Sequence, residues 1–147
     1  GVFRRQRQMC IRDSKYTKNV MSAHRTPHDV MELIKTSEEK GCKVFIAAAG
    51  MAAHLAGAVA AHSPKPVIGI PIESGGMGGI DSLLSTAMMP PGVPVATVAV
   101  GKSGAKNSAI LAVQILATSD EDLAQKLVEY KQNMRSEVLE KDKKLNS

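Results

Sequence analysis

A chain of 147 residues, 44% hydrophobic and 22% charged, is long enough to bury one core and short for two. Its formal charge of +5 is concentrated in the first 14 residues, where Arg4, Arg5, Arg7 and Arg12 face only Asp13; with aromatic residues at 3%, a basic, stacking nucleic-acid face is excluded. Cys10 and Cys42 lie far apart without clustered histidines, and no apolar run reaches the roughly 18 residues of a membrane span, so the expectation is a cytoplasmic protein with neither disulfide framework, zinc site nor transmembrane helix.

Residues 1–14 (GVFRRQRQMCIRDS) show neither helical nor strand periodicity and lack the apolar centre of a secretory signal. They read as a leader unrelated to the rest, either a cloning or assembly junction or a basic extension, and residues 15–147 read as a single α/β domain. Residues 18–21 read as the end of a strand. The polar hexapeptide Ser22-Ala23-His24-Arg25-Thr26-Pro27 follows. Thr26 suits an N-cap, Pro27 the first helical position and Asp29 the first turn, while Gly41 suits a left-handed stop. Between them Val30, Leu33, Ile34 and Ser37 form a buried stripe.

Residues 43–48 (KVFIAA) form a nearly continuous apolar run, the pattern of a parallel strand covered on both faces, ended by Gly50. Residues 52–61 read as a small-residue helix with His54 in its first turn, stopped by Ser63-Pro64-Lys65-Pro66. A third strand over 67–72 (VIGIPI) leads into a glycine-rich loop over 73–79, after which Asp81 is expected to cap a short helix through Ser85. A fourth strand is expected over 94–100 and a helix over 105–117, with Ile110, Leu111, Ile115 and Leu116 facing a sheet. Ser119 and Asp122 match a capping box for a last helix. Its apolar positions Leu123, Leu127, Tyr130, Met134 and Val138 continue beyond one domain's width, so residues 119–147 are expected to be an oligomerisation helix.

Short apolar strands alternating with helices predict a three-layer α/β fold on a parallel sheet with right-handed crossovers. Ligands of such sheets gather at the carboxyl ends of the strands, where Ser22 to Arg25, the segment around Gly50 to His54 and the 73–79 loop fall. Arg25 offers a planar fork suited to a phosphate or carboxylate, and His24 belongs to the one residue type that both gives and takes a proton near neutral pH. His54 stands where helix amides favour a negative ligand. From spacing alone each is more often a surface or structural residue. The glycine loop has neither Walker order nor a dinucleotide fingerprint, so the residues by themselves predict a small-molecule site without naming a reaction.

From about Val20 onward the sequence resembles the 5-(carboxyamino)imidazole ribonucleotide mutase family of purine biosynthesis, the PurE proteins. The resemblance is carried by Ser22 to Pro27, Ala49-Gly50, Ala52-Ala53-His54-Leu55, Gly69-Ile70-Pro71, Gly79, Asp81-Ser82-Leu83, Met89-Pro90 and Gly92-Val93-Pro94-Val95. It implies a flavodoxin-like fold, a homo-octamer with swapped C-terminal helices, and a cofactor-free, metal-free rearrangement. In that rearrangement a carboxylate moves from the exocyclic nitrogen of an aminoimidazole ribonucleotide to ring carbon four, through carbon dioxide enclosed in the pocket. By the same resemblance His24 is the proton shuttle, Ser22, Ala23 and Arg25 bind substrate, and Gly50, Ala53, His54 and Leu55 enclose the imidazole. No nucleic-acid or membrane partner is implied.

The family pattern opens with a strand, a Gly-Ser-x-Ser-Asp phosphate turn and a helix ahead of the segment leading to Ser22. Only seven residues separate Ser14 from Ser22, so the expectation is an N-terminally truncated sheet in which residues 1–14 replace that unit. Ala48, Met51 and Ala56 stand where the family usually has glycine, glycine and proline. Two alternatives stay open: a non-catalytic oligomeric scaffold, and a direct aminoimidazole ribonucleotide carboxylase.

Overall fold

The computed structural model describes residues 15–146; the expected leader over 1–14 lies outside the described residues. In chain order the elements are α1 (Pro27–Glu39), β1 (Phe45–Gly50), α2 (Leu55–His62), β2 (Val67–Ile72), α3 (Ile80–Ala87), β3 (Ala96–Thr97), α4 (Lys102–Ala117) and α5 (Glu121–Asn146). The chain forms two compact units, residues 17–112 and residues 113–146 together with Lys15 and Tyr16.

The first unit holds a parallel sheet of order β1-β2-β3. Phe45 to Gly50 pair in register with Val67 to Ile72, and Ile68 and Gly69 pair with Ala96 and Thr97. The α/β class expected from the sequence is therefore present. β2 is buried along nearly its whole length, with Ile68 at 0% exposure, as a run of Val and Ile between two neighbours should be. β1 differs from the expectation of cover on both faces: among the described residues it is an edge strand, and its faces are unequally covered, Ala47 being buried while Ile46, on the opposite face, is 46% exposed.

The core cluster joins Val30 and Ile34 of α1, Ala47 of β1, Ala56 and Val59 of α2 and Val67 of β2. Val30 and Ile34 lie four residues apart, so one helix face supplies both. Pro27 occupies the first turn of α1, and Gly41, at φ +85°, ends it as expected by turning the chain toward β1.

Four expectations are corrected. Residues 18–21 are irregular rather than strand, since no strand among the described residues pairs with them and Val20 is fully exposed. β3 is only two residues long, and its C-terminal end falls where Pro71 has no amide hydrogen: Val98 N–H donates to Gly69 O at 3.1 Å, but the return bond to Val98 cannot form. The cap of α3 is Gly79, so Asp81 falls inside the first turn, with its Oδ1 buried and unpaired. The buried positions of α4 within the first unit are the small Gly104 and Ser108, while Ile110 and Leu111 are half-buried.

In the second unit Leu123 is buried, and Asp120 rather than Ser119 caps α5, its Oδ1 accepting from Leu123 N–H at 3.0 Å. Ser119 instead sits in a tight turn closing α4, where its N–H donates to Leu116 O at 3.2 Å. The apolar stripe then runs outward, with Met134 41% and Val138 64% exposed.

Candidate active site

Two turns flank the core cluster, and both are tied to it by apolar neighbours: Met21, just before Ser22, and Leu55, at the end of the second turn, pack against the same buried residues. α1 returns the chain to the start of β1, so its N-terminus belongs at the end of the sheet where β1 finishes, the ligand end of a parallel sheet.

The first turn is fixed by its own polar side chains. Thr26 N–H donates to Ser22 O at 2.9 Å, Ser22 N–H donates to Thr26 Oγ1 at 2.9 Å, and Thr26 Oγ1 donates back to Ser22 O at 3.0 Å. Arg25 N–H donates to Ser22 Oγ at 3.2 Å. Thr26 is thus the N-cap by position but not by hydrogen bond, because its hydroxyl is engaged by Ser22 instead of by the helix amides. Two consequences follow for chemistry. The first-turn amides of α1 have no side-chain cap and keep their positive end toward the turn. The Ser22 hydroxyl, which accepts from Arg25, retains its own hydrogen for donation. Ala23 is half-buried, whereas the His24 and Arg25 side chains project from the turn into solvent reach.

The second turn joins β1 to α2 and includes Gly50, Ala53, His54 and Leu55. Ala53 N–H donates to Gly50 O at 3.2 Å and Ala58 N–H to His54 O at 3.0 Å. A Cβ on Gly50 would fall on the side chain of Ser74, so glycine here lets the loop after β2 lie against the end of β1. Met51 and His54 both adopt left-handed backbone, at φ +51° and +27°. His54 stands at the N-cap of α2 rather than in its first turn, because β1 extends through Gly50 and the four residues 51–54 form the turn. His54 Nδ1 is 2.6 Å from Ser85 O, and Ser85 Oγ donates toward Met51 O at 3.2 Å, so α3 holds this turn from outside. Nothing in the sequence singled out Ser85, which lies more than thirty residues away from both. Met51 is 55% exposed, so most of its side chain stands in solvent, whereas Ala56 is buried in the core cluster.

Each of the two turns is an ordered segment beside helix amides, one carrying a solvent-reachable imidazole and guanidinium, the other small residues and a pinned imidazole. Such a pair suits a polyanionic small molecule. Among the described residues no group of three or more His, Cys, Asp or Glu side chains is placed to hold a metal ion, and no helix is long and apolar enough to cross a membrane.

The family model described as AIR carboxylase matches residues 7–137. The N5-carboxyaminoimidazole ribonucleotide mutase of Bacillus subtilis strain 168 is 53% identical over 130 residues, covering 88% of this chain and 80% of the relative. The protein of the same name from Saccharolobus solfataricus is 52% identical over 124 residues (84% and 77%), and that from Escherichia coli K12 is 50% identical over 121 residues (82% and 72%). The crystal structure of Treponema denticola PurE superposes with a TM-score of 0.78 at 27% identity, covering 90% of this chain and 82% of that one. The flavodoxin-like architecture expected from the sequence is therefore present, and the chain belongs to the AIR carboxylase family of PurE proteins.

Proposed function

We propose that the chain is a mutase of purine biosynthesis that converts 5-(carboxyamino)imidazole ribonucleotide to 5-amino-4-imidazolecarboxylate ribonucleotide. The observation that carries this reading is about 50% identity, over most of the chain, to relatives named N5-carboxyaminoimidazole ribonucleotide mutase. The turn from Ser22 to Thr26 gives it a chemical basis, since it presents His24 and Arg25 together beside uncapped helix amides.

In this reading the His24 imidazolium gives its proton to the exocyclic nitrogen as the bond from that nitrogen to the carboxylate breaks, releasing carbon dioxide. The electron pair of ring carbon four then forms the new bond to carbon dioxide, and the neutral imidazole takes the proton from that carbon, returning to its starting charge. Arg25 and the Ser22 hydroxyl bind substrate oxygens, with Ala23 between them. Gly50, Ala53, His54 and Leu55 wall the imidazole and carbon dioxide, so that recapture is effectively intramolecular and water is kept out.

The test is turnover of the carboxyamino substrate by the whole chain and by His24→Asn. Loss of about 10²–10⁴-fold in the variant is the expected result for a proton shuttle. Substrate binding without turnover in the parent chain would place it as a scaffold. The description of the matched family favours one further reading, a direct carboxylase, which product formation from aminoimidazole ribonucleotide and bicarbonate alone would establish.

The homo-octamer belongs to the same proposal. It is supported by the apolar side chains left open on α5, Val128 at 48%, Val138 at 64% and Leu145 at 85% exposure, which a second copy of this chain would cover. Light scattering on the intact chain tests it, a monomer overturning it. The proposed place of action is the cytoplasm, and the proposed ligands are a ribonucleotide and enclosed carbon dioxide, with no nucleic acid or membrane.

A further inference from the structure

We infer that Ser85 and Gly57 are positioning residues for the turn between β1 and α2, the Ser85 hydroxyl acting through Met51, its main-chain oxygen and Gly57 acting through His54; this rests on the proposed function, in which that turn walls the substrate. Two non-glycine residues of the turn, Met51 and His54, have positive φ. Such backbone is unfavourable for residues with a β-carbon and persists only where neighbours over-determine it. The neighbour here is Ser85 on α3, which reaches both. Its hydroxyl lies 3.2 Å from Met51 O, and its main-chain oxygen lies 2.6 Å from His54 Nδ1.

The second contact fixes more than distance. A carbonyl oxygen only accepts, so His54 Nδ1 carries the hydrogen, and the neutral imidazole is held as the Nδ1–H tautomer with its lone pair on Nε2. Gly57 explains how the ring reaches this position. It is a buried glycine inside α2, where a helix would ordinarily favour alanine, and a Cβ built on it would fall within the His54 ring. The absent side chain is the space the imidazole occupies. The ring is therefore seated on Gly57, bonded to Ser85 and attached to a strained backbone, an arrangement that sets the shape of the loop wall.

The Ser85 hydroxyl also lies 3.1 Å from Ser82 O, one turn back on its own helix, and it has a single hydrogen to give. Its hold on Met51 is thus shared, whereas its hold on His54 runs through the main chain. The two ends of the clip can be tested apart: Ser85→Ala removes the hydroxyl shared between Met51 O and Ser82 O and leaves the main-chain contact with His54, and Gly57→Ala displaces the ring.

The experiment measures kcat and KM for the carboxyamino substrate, thermal unfolding, and the His54 tautomer by nitrogen-15 NMR of the imidazole, on the whole chain. Gly57→Ala should remain folded with an unfolding temperature no lower than the parent, lose the Nδ1–H signature, and lose about tenfold to hundredfold in kcat/KM, the scale expected when a binding wall is misplaced by an ångström. Ser85→Ala should lose less, and Ser85→Thr, which keeps the hydroxyl, should restore activity. In a His54→Ala background Gly57→Ala should have little further effect, because its target is gone. An unchanged tautomer in Gly57→Ala, or a full additional loss in the His54→Ala background, overturns the inference. If the parent chain has no turnover the proposed function falls, while the tautomer in parent and Gly57→Ala still decides whether the clip exists.

Discussion

Thr26→Val is the most direct probe of the first turn, because valine keeps the branched shape of threonine and removes only the hydroxyl. That hydroxyl accepts from Ser22 N–H at 2.9 Å and donates to Ser22 O at 3.0 Å. A protein hydrogen bond contributes about 0.5–1.5 kcal/mol net, and leaving a donor without a partner adds to the loss. Both bonds are half-buried, so water compensates in part, and the expected cost is about 1–2 kcal/mol. For a domain of about 100 residues each kcal/mol lowers the unfolding temperature by about 4–8 °C, readable by calorimetry. The same loosening frees the backbone that carries His24 and Arg25. If it falls on the productive arrangement, turnover drops about tenfold per 1.4 kcal/mol. Thr26→Ser keeps both bonds and should behave as the parent. A valine variant with parental unfolding temperature and kcat/KM, or a serine variant as impaired as the valine one, would refute the assignment of turn geometry to this hydroxyl.

Further outcomes follow from packing and capping. Gly104→Ala should destabilise by about 1–3 kcal/mol in urea unfolding, since its Cβ would meet the main-chain oxygen of Ala99, which cannot turn aside as a side chain can. An unchanged urea midpoint would mean that α4 does not approach residue 99 as described. Ile68→Ala, at a position with no exposed surface in the middle of the sheet, should cost about 2–5 kcal/mol, and Ile68→Val about 0.5–1.5 kcal/mol by the same measurement. Asp120→Ala removes the cap of α5 and should cost about 1 kcal/mol with loss of helical circular dichroism, while Ser119→Ala should change little; the reverse order would restore Ser119 as the cap.

The features legible in the sequence are those whose causes lie within a few residues. Pro27 and Gly41 bound α1 as expected, and the unbroken apolar run from Val67 to Ile72 is β2 at the predicted bounds. Of the stripe expected from helical periodicity, Val30 and Ile34 lie in the core cluster, whereas Leu33 and Ser37 are only half-buried. The motif from Ser22 to Pro27 was likewise visible, since side chains four residues apart close that turn on itself.

Tertiary structure decided whatever depends on a distant neighbour. β3 reads as a seven-residue strand by composition, yet its ladder stops where Pro71 of the adjacent strand has no hydrogen to donate. Residues 18–21 have strand-like character, but a strand exists only where another backbone lies alongside to pair with it. His54 is legible as a residue near a helix start, whereas the pose of its ring depends on the main-chain oxygen of Ser85, 31 positions later, and on the missing side chain of Gly57. Local pattern specifies which segments can form; hydrogen bonds and close approaches between segments exist only after folding, and they set where each element ends and how its side chains point.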